Sequence, residues 1–513
     1  MAAGDLIDRA IAVISPRRAF ERTRYRAAMS AAASYDAASR GRRTQGMRAP
    51  SGDANVALRG SKVMRDRARD MVRNNAIASA AARVIVDYAV GDGIIPKAQA
   101  ESDAAERQIE DLLREFCDTT ACDARGTQNL YGLQRQSVRA LVEAGEMLWL
   151  QRPRRNGDGL PLNFQVETLE PEMLDTTEYG RAANGNGVYD GIEFDLLGRR
   201  VAYRLYRQNP YGDFEFGRGG PLESRRVTAA RVAHCFRPDR PEQRRGAPLL
   251  APVMPLISDA YEFADAKLIQ QKIAAMWVAF EQDISGDINN PDETADPIDD
   301  LQPGTYHRLP PGRTVTMSRP PEPYGFSEYF ESVLRMVAAG LGITFESLAA
   351  NLTGVNYTSG RLGRLDMERN MSALQNTVLI PMLCDPFSRW FRDYAALRLG
   401  VRPEDYSIKW MPPRFPLTDP TKDIPATVTK IRAGLSSRMR EVGEMGFDVE
   451  EIDEENRRDL ARTDELRISY DSDPRRNAQA PEQGIGPLNN DDTSQEGGQT
   501  GQQEGQEGSN ADQ

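Results

Sequence analysis

Apolar residues recur at helical spacing from about residue 62 to the turn at residues 91–93, where two glycines are typical of a helix end. The same spacing predicts a second helix over about residues 104–116 and a third over residues 130–150. The first part of the chain is therefore expected to be mainly helical.

The apolar pattern changes to alternation within residues 160–236. Ile192 and Phe194 alternate with polar neighbours, a turn follows at residues 197–199, and the alternation resumes at Val201. Two alternating runs joined by a short glycine-containing turn predict a β-hairpin, and the whole segment is expected to form strands.

A long helix is predicted to begin after Pro248 and to run to Phe280, because its apolar residues fall on one helical face. Asp, Asn, Pro and Gly then interrupt short β-like pieces, such as residues 312–317, throughout residues 281–325. That segment is expected to be a loop-rich insertion between helices.

An amphipathic helix is predicted over residues 327–341, a polar loop over residues 351–360, and a further helical pattern over residues 361–399. Pro381 and Pro386 lie inside the last pattern and predict a kink or a break, because proline cannot donate the helical hydrogen bond. A charged helical pattern returns over residues 420–468.

The formal net charge of -11 is unevenly distributed. Residues 1–70 carry 15 Arg and Lys against 7 Asp and Glu, whereas residues 471–513 carry 2 against 9. We therefore expect a loose basic arm over residues 1–60 and a disordered acidic tail over residues 471–513. The arm fits nucleic-acid contact and a general arginine bias equally well, since 58 arginines stand against 7 lysines.

Membrane insertion and secretion are not predicted. The densest apolar run, residues 273–280, is far shorter than the ~18–20 residues that span a bilayer. Residues 1–16 lack the basic segment and long apolar core of a secretory signal. We expect the protein to be made and used in a cytoplasm.

Sequence signals of catalysis are absent. The chain has no phosphate-binding G-x-x-x-x-G-K-[ST] loop and no G-x-S-x-G nucleophile motif. In the glycine-containing run at residues 185–191, the last glycine is too far from the second one for the G-x-G-x-x-G pattern of a dinucleotide site. The run also precedes a predicted strand rather than a helix, so it predicts a turn. We expect no enzymatic activity and no cofactor.

The cysteines and histidines do not form a recognisable metal motif. A zinc site needs about four clustered ligands, and the cysteines lack C-x-x-C spacing. We expect no metal and packed, reduced thiols. Adjacent strand residues point to opposite faces, so His234 is expected to pack or form a hydrogen bond rather than act with Cys235.

Several short motifs occur in a defined order along the chain. Their residues are Arg67, Arg69, Asp70, Arg73, Asn74, Asn75, Gly91, Gly93, Pro96, Cys122, Asp123, Gly145, Glu146, Gly191, Glu193, Asp195, Gly198, Arg199, Ala202, Tyr203, His234, Phe236, Arg240, Pro241, Gln243, Arg245, Gly246, Pro248, Leu249, Ala338, Gly342, Ile343, Leu348, Asn351, Tyr357, Arg361, Asp419, Pro420, Lys422, Ala426, Gly434 and Leu435. Taken in this order, they resemble the lambda-type family of phage portal proteins. Each motif is weak alone because Gly, Pro and Arg are common, but their joint order over roughly residues 60–460 is specific. The sequence departs from the family pattern at Ala76, Glu242, Leu352 and Gly360.

The resemblance implies an α+β portal fold in a homo-oligomeric ring of about twelve subunits at one capsid vertex. Double-stranded DNA would pass through its channel during packaging and ejection. The implied parts are a wing over residues 61–250, a first stem helix over 251–280, a clip over 281–326, a second stem helix over 327–345, a tunnel loop over 346–360, a kinked long helix with a return to the wing over 361–419, and a helical crown over 420–470.

The resemblance also implies partners in the virion and during assembly in the host cytoplasm. They are the terminase large subunit, the major capsid or scaffold protein, and a head–tail connector protein. Two other classes remain open: another phage head structural or adaptor protein, and an unrecognised hydrolase.

The tunnel loop carries the candidate DNA-facing residues. Polar side chains there can touch phosphates or sugars without reading sequence. Arg361 is expected either to contact DNA or to form a salt bridge to a neighbouring subunit. The full candidate set is Asn351, Thr353, Asn356, Tyr357, Thr358 and Arg361.

Overall fold

The computed structural model contains α-helices together with β-sheets of two, three and five strands. The structure describes residues 53–210, 223–275, 279–283, 313–317, 326–353, 357–413, 415, 420–444, 449–468 and 470. This mixture confirms the α+β class. Of the predicted arm, only residues 53–60 are described, and the predicted tail lies outside the described residues.

The described part of the chain contains thirteen α-helices. Their bounds are α1 Ala54–Ala57, α2 Ser61–Asn74, α3 Ala76–Ala89, α4 Asp103–Cys117, α5 Leu130–Glu143, α6 Met254–Ala275, α7 Phe326–Leu341, α8 Phe345–Ala349, α9 Tyr357–Leu374, α10 Asp385–Leu399, α11 Pro420–Arg432, α12 Arg438–Glu444 and α13 Val449–Glu465. None of these described helices is both long and apolar enough to cross a membrane.

The first predicted helix is divided in two at Asn75. The Asn75 side chain accepts hydrogen bonds from the backbone amides of Ile77 at 2.9 Å and Ala78 at 3.2 Å. Asn75 has an extended backbone, so it ends α2, and its side chain caps the start of α3. The second predicted helix is confirmed as α4.

Within the residues that the structure describes, the strands form four separate sheets. Their bounds are β1 Ile95–Ala100, β2 Glu146–Pro153, β3 Phe164–Leu169, β4 Gly180–Arg181, β5 Gly187–Tyr189, β6 Ile192–Phe194, β7 Arg200–Tyr206, β8 Ser224–Thr228, β9 Val232–Phe236, β10 Ala279–Asp283, β11 Arg313–Met317 and β12 Tyr406–Met411. All pairs are antiparallel, in the orders β1-β12, β10-β11, β3-β2-β9 and β4-β5-β6-β7-β8.

The prediction of a helix up to residue 150 is wrong. Helix α5 ends at Glu143, Gly145 takes a positive φ of 85°, and strand β2 begins at Glu146. Six consecutive residues of β2 are buried. A strand buried on both faces has an unbroken apolar run, which spacing alone cannot distinguish from a helix.

The predicted hairpin within residues 160–236 is confirmed. Strands β6 and β7 pair antiparallel, with Ile192 opposite Tyr203. The five-stranded sheet packs on the three-stranded sheet through a second, smaller core that includes Leu148, Leu150 and Val227. The main core lies between the helices and the other face of the three-stranded sheet, around Trp149, Phe116, Phe164, Phe387 and Phe391.

The long helix predicted to reach Phe280 is shorter within the described residues. Helix α6 is described to Ala275, and Phe280 lies in strand β10, which pairs with β11. Predicted β-like structure near residues 312–317 is therefore confirmed. Residues 284–312 and 318–325 of the predicted insertion lie outside the described residues.

The predicted disruption at Pro381 and Pro386 is a change of helical geometry rather than a break. Residues Gln375–Cys384, which contain Pro381, form π-helical turns between α9 and α10. Proline has no amide hydrogen and cannot donate the regular α-helical hydrogen bond. The wider π turns change the hydrogen-bond spacing around it. Pro386 lies in the first turn of α10, where an amide hydrogen is not needed.

The C-terminal part is helical, as predicted for residues 420–468. Helices α11 and α12 belong to a first compact unit that ends at residue 446, and α13 belongs to a second unit that begins at residue 447. Helix α13 carries exposed ion pairs of Glu454 with Arg457 and Arg458.

Candidate nucleic-acid interface

The first residues of the predicted tunnel loop are helical. Thr344 caps α8 by accepting a hydrogen bond from the Ser347 amide at 3.2 Å, and α8 extends to Ala349. Ala350 then takes a left-handed conformation with a φ of 51°. The loop proper begins after this reversal, at Asn351, five residues later than the predicted boundary at residue 346.

Asn351 and Thr353 form a local turn at the start of the loop. The Asn351 side chain accepts a hydrogen bond from the Thr353 amide at 2.9 Å. Leu352 between them is 74% exposed. This short stretch presents its side chains to the surface of the subunit.

The end of the predicted loop is also helical. Helix α9 begins at Tyr357, so the backbones of Tyr357 and Thr358 lie in its first turn. The prediction that the loop continues to Gly360 is wrong at this end. Asn356 lies outside the described residues, as do the side chains of Tyr357 and Thr358.

Arg361 forms a salt bridge inside its own subunit. Its Nη2 atom lies 3.1 Å from Oδ1 of Asp423, which joins α9 to α11. The Arg361 side chain remains 41% exposed. The sequence offered DNA or a neighbouring subunit as its partner, and the structure adds a third, intrachain partner.

A polar contact joins the turn after α7 to the later part of α9. Asn370 on α9 donates a hydrogen bond to the Gly342 carbonyl at 3.2 Å, just after α7. Gly342 has a φ of 69°, and a Cβ there would lie 3.0 Å from the Asn370 side chain. This hydrogen bond links the helix that precedes α8 and the loop to the helix that follows them.

Helices α6 and α7, which precede the loop, pack through aromatic rings. The Phe263 ring centroid lies 4.6 Å from that of Tyr329 and 5.7 Å from that of Phe326. Several large apolar side chains of these helices face outward instead. They are Tyr261, Leu268, Ile269 and Met336.

A buried charge cluster lies where the sheets meet the chain that leads into α6. Arg245 donates to Glu146 through Nε at 2.9 Å and Nη2 at 2.6 Å, and His234 Nε2 lies 3.0 Å from the same carboxylate. Arg65 of α2 reaches both Glu146 at 3.7 Å and Glu172 at 3.1 Å. These five residues define the buried charge cluster.

Electrostatics fix the charges in the buried charge cluster. Burial alone would raise the pKa of Glu146, but the Arg245 guanidinium and the His234 hydrogen bond outweigh it and hold that pKa well below its ordinary value. Burial lowers the pKa of His234 against the pull of Glu146, so the ring is neutral at pH 7 and Nε2 donates. The prediction that His234 packs and forms a hydrogen bond is confirmed.

Sequence reasoning missed the buried charge cluster as a unit. Glu146, His234 and Arg245 were singled out only as separate points of family resemblance, because their separations along the chain, 88 and 99 residues, follow no local spacing. The glycines beside them gave a partial signal. A Cβ on Gly246 would lie 1.9 Å from the Gly145 carbonyl oxygen, so two backbones meet there.

Groups able to hold a metal ion do not gather in the described part of the chain. The thiols of Cys117, Cys122, Cys235 and Cys384 are buried, and burial raises the pKa of each. Thiols of this kind are poor nucleophiles. What the site offers is a surface loop of polar groups on a rigid, aromatic-packed support.

The family model described as "Phage portal protein, lambda family" matches residues 40–375. The chain belongs to the lambda family of phage portal proteins. The match includes α6, α7, the loop and Arg361, so the predicted resemblance is confirmed. The ring and its DNA channel follow from membership of this family, whose proteins are structural rather than enzymatic.

Individual relatives agree with the portal assignment. The chain is 27% identical over 438 residues to a probable portal protein of Halomonas phage phiHAP-1, covering 80% of this chain and 83% of the relative. It is 21% identical over 437 residues to portal protein B of Escherichia phage lambda, covering 75% and 81%. A solved structure titled as the neck of a native gene transfer agent (GTA) particle aligns with a TM-score of 0.45 and 13% identity, over 76% of this chain and 94% of that chain.

Proposed function

We propose that this portal protein forms a ring of about twelve subunits at one capsid vertex and that the loop after α8 lines its channel. Double-stranded DNA passes through during packaging and ejection. The observation that supports the channel role is a family match that spans both stem-like helices and the loop between α8 and α9.

The loop suits passage of DNA because it offers polar contacts without a strongly basic surface. Asn351 and Thr353 present short polar side chains, and Arg361 is already neutralised by Asp423. Each phosphate held by Lys or Arg adds a salt-sensitive binding term of roughly 0.9 counterions. A channel that must release DNA gains from having few such contacts.

Deleting Leu352–Thr358 tests the loop assignment. Few described buried contacts depend on this stretch, so rings should still assemble and be visible as closed particles with a channel. Packaging, or retention of the packaged genome, should fail in a complementation assay with a portal-deficient phage. The point variant Thr353→Ala keeps the loop length and tests this one polar side chain separately. Full packaging by the deletion variant would contradict the assignment, and loss of rings would make the loop structural.

We also propose partners for this portal protein, on the basis of its family. The terminase large subunit docks on the clip, residues 281–326, and supplies the energy of packaging; capsid or scaffold protein and a head–tail connector bind other faces. The ring itself should hydrolyse no ATP. Turnover that copurifies with the ring and survives a high-salt wash would show an enzymatic role.

A further inference from the structure

Three arginines meet where the core between the two larger sheets ends. Along β2, Leu148 and Leu150 face that core, and Arg152 is the next residue on the same face. Along β8, Val227 faces the core and Arg225 is the next residue on its face. Arg231 follows β8 and donates through Nη2 to the Gln151 carbonyl at 2.8 Å. We call Arg152, Arg225 and Arg231 the arginine cluster.

The arginine cluster contains more cations than carboxylates. Arg152 is paired with Glu167. Arg225 makes no hydrogen bond or ion pair within the described residues, and Arg231 makes no ion pair there. The Nε atoms of Arg225 and Arg231 are both buried without a hydrogen-bond partner. Among the described residues, these three arginines therefore have one paired carboxylate, Glu167.

The like charges affect one another. Burial and the positive charges of Arg152, Arg231 and Arg207 lower the pKa of Arg225, and Glu167 opposes them. A partly buried cation without a partner is unfavourable in the isolated subunit. An incoming anion would remove that penalty, and the planar guanidinium groups match a carboxylate.

We propose that Arg225 and Arg231 bind a carboxylate side chain of a neighbouring copy of this chain. The inference rests on the ring proposed above, which places copies side by side. The chain carries a net charge of -11, so a neighbour offers carboxylates in excess. Duplex DNA fits less well, because Glu167 lies inside the arginine cluster and a duplex is held by a row of basic groups.

The variant Arg225→Gln separates an interface role from a structural one. Removing an unpaired, partly buried charge should leave the unfolding midpoint of the dissociated subunit unchanged or raised. Ring assembly should weaken, with about a tenfold rise in the subunit concentration at half assembly, which corresponds to about 1.4 kcal/mol. Arg225→Lys, which keeps the charge, should recover part of the loss.

Arg226→Gln is the matched control. Arg226 is the next residue on β8, faces the other way, and pairs with Glu193 through Nε at 2.8 Å and Nη2 at 3.1 Å. The same loss of charge there should lower the stability of the dissociated subunit. Equal ring assembly by Arg225→Gln and the wild type would overturn the proposal.

A photocrosslinking amino acid in place of Arg225 identifies the occupant. Irradiation of assembled rings that contain this substituted chain should give a covalent dimer of the chain. The crosslink should map to a stretch of the second copy that contains Asp or Glu. Crosslinks to DNA or to another capsid protein, without the dimer, would refute the proposal. Failure of the wild type itself to form rings would instead refute the proposed function.

Discussion

His234 is the residue at which protonation couples most directly to the fold. Its side chain is buried, its Nε2 donates to Glu146, and its Nδ1 has no hydrogen-bond partner. A proton added at Nδ1 would place a charge in a site that already contains the Arg245 and Arg65 guanidinium groups. The neutral ring is therefore a condition of the packed state.

The stability of the subunit should fall as the pH falls through about 6.5. The pKa of His234 is lowered on folding, so the unfolded chain takes up a proton that the folded chain does not, and unfolding is favoured by up to about 1.4 kcal/mol per pH unit. The pKa of Glu146 is also lowered, which adds a further loss below about pH 4.5.

Denaturant titrations of wild type and His234→Gln between pH 7.5 and 5 measure the contribution of His234. The variant should be less stable at pH 7.5 but should show a flatter dependence on pH. Parallel curves for the two proteins would mean that His234 titrates equally in the folded and unfolded chains.

At the scale of elements, sequence patterns identified structures with a single exposed face. The hairpin β6–β7 and the helix α7 each bury one side, so their periodicity is visible. The pattern did not identify β2, which is buried on both sides, or the division of the first helix at Asn75. It also could not show that Arg361 pairs with Asp423, since contacts between distant segments leave no local spacing.

The chain segment between β9 and α6 depends on Gly246. A Cβ there would lie 1.9 Å from the Gly145 carbonyl oxygen, and backbone cannot move aside as a flexible side chain can. Gly246→Ala should therefore separate these segments, disturb the Arg245–Glu146 pair, and destabilise the subunit by about 3 kcal/mol or more. Thermal unfolding would measure the loss.

Gly157→Ala is the control for that substitution. Nothing lies within 4 Å of the position a Cβ would take at Gly157. The control should therefore unfold within about 0.5 kcal/mol of the wild type. Similar midpoints for the two variants would show that the close approach at Gly246 relaxes without cost.

At the scale of the whole molecule, we expect the outward apolar side chains of α6 to lie at a contact between subunits. Ile269 is 56% exposed in the isolated chain. Exposed apolar groups that are contiguous commonly mark protein interfaces. Since Ile269 lies outside the core, its substitution should affect assembly far more than folding.

Ile269→Arg should give folded subunits that do not close into rings, because a charge would be buried at each contact. Mass photometry would report the assembly state, and circular dichroism the fold. Gln271→Arg introduces the same charge at an exposed polar position of α6 and should assemble. Normal rings from Ile269→Arg would exclude this face from the subunit contact.

The π-helical residues Gln375–Cys384 connect two regular helices, α9 and α10. A π turn contains more residues than an α turn, so the same ten residues in α form would make a longer and differently rotated rod. With α10 anchored in the core by Phe387 and Phe391, such a change would advance and turn α9. The loop between α8 and α9, at the far end of α9, would then shift with that helix.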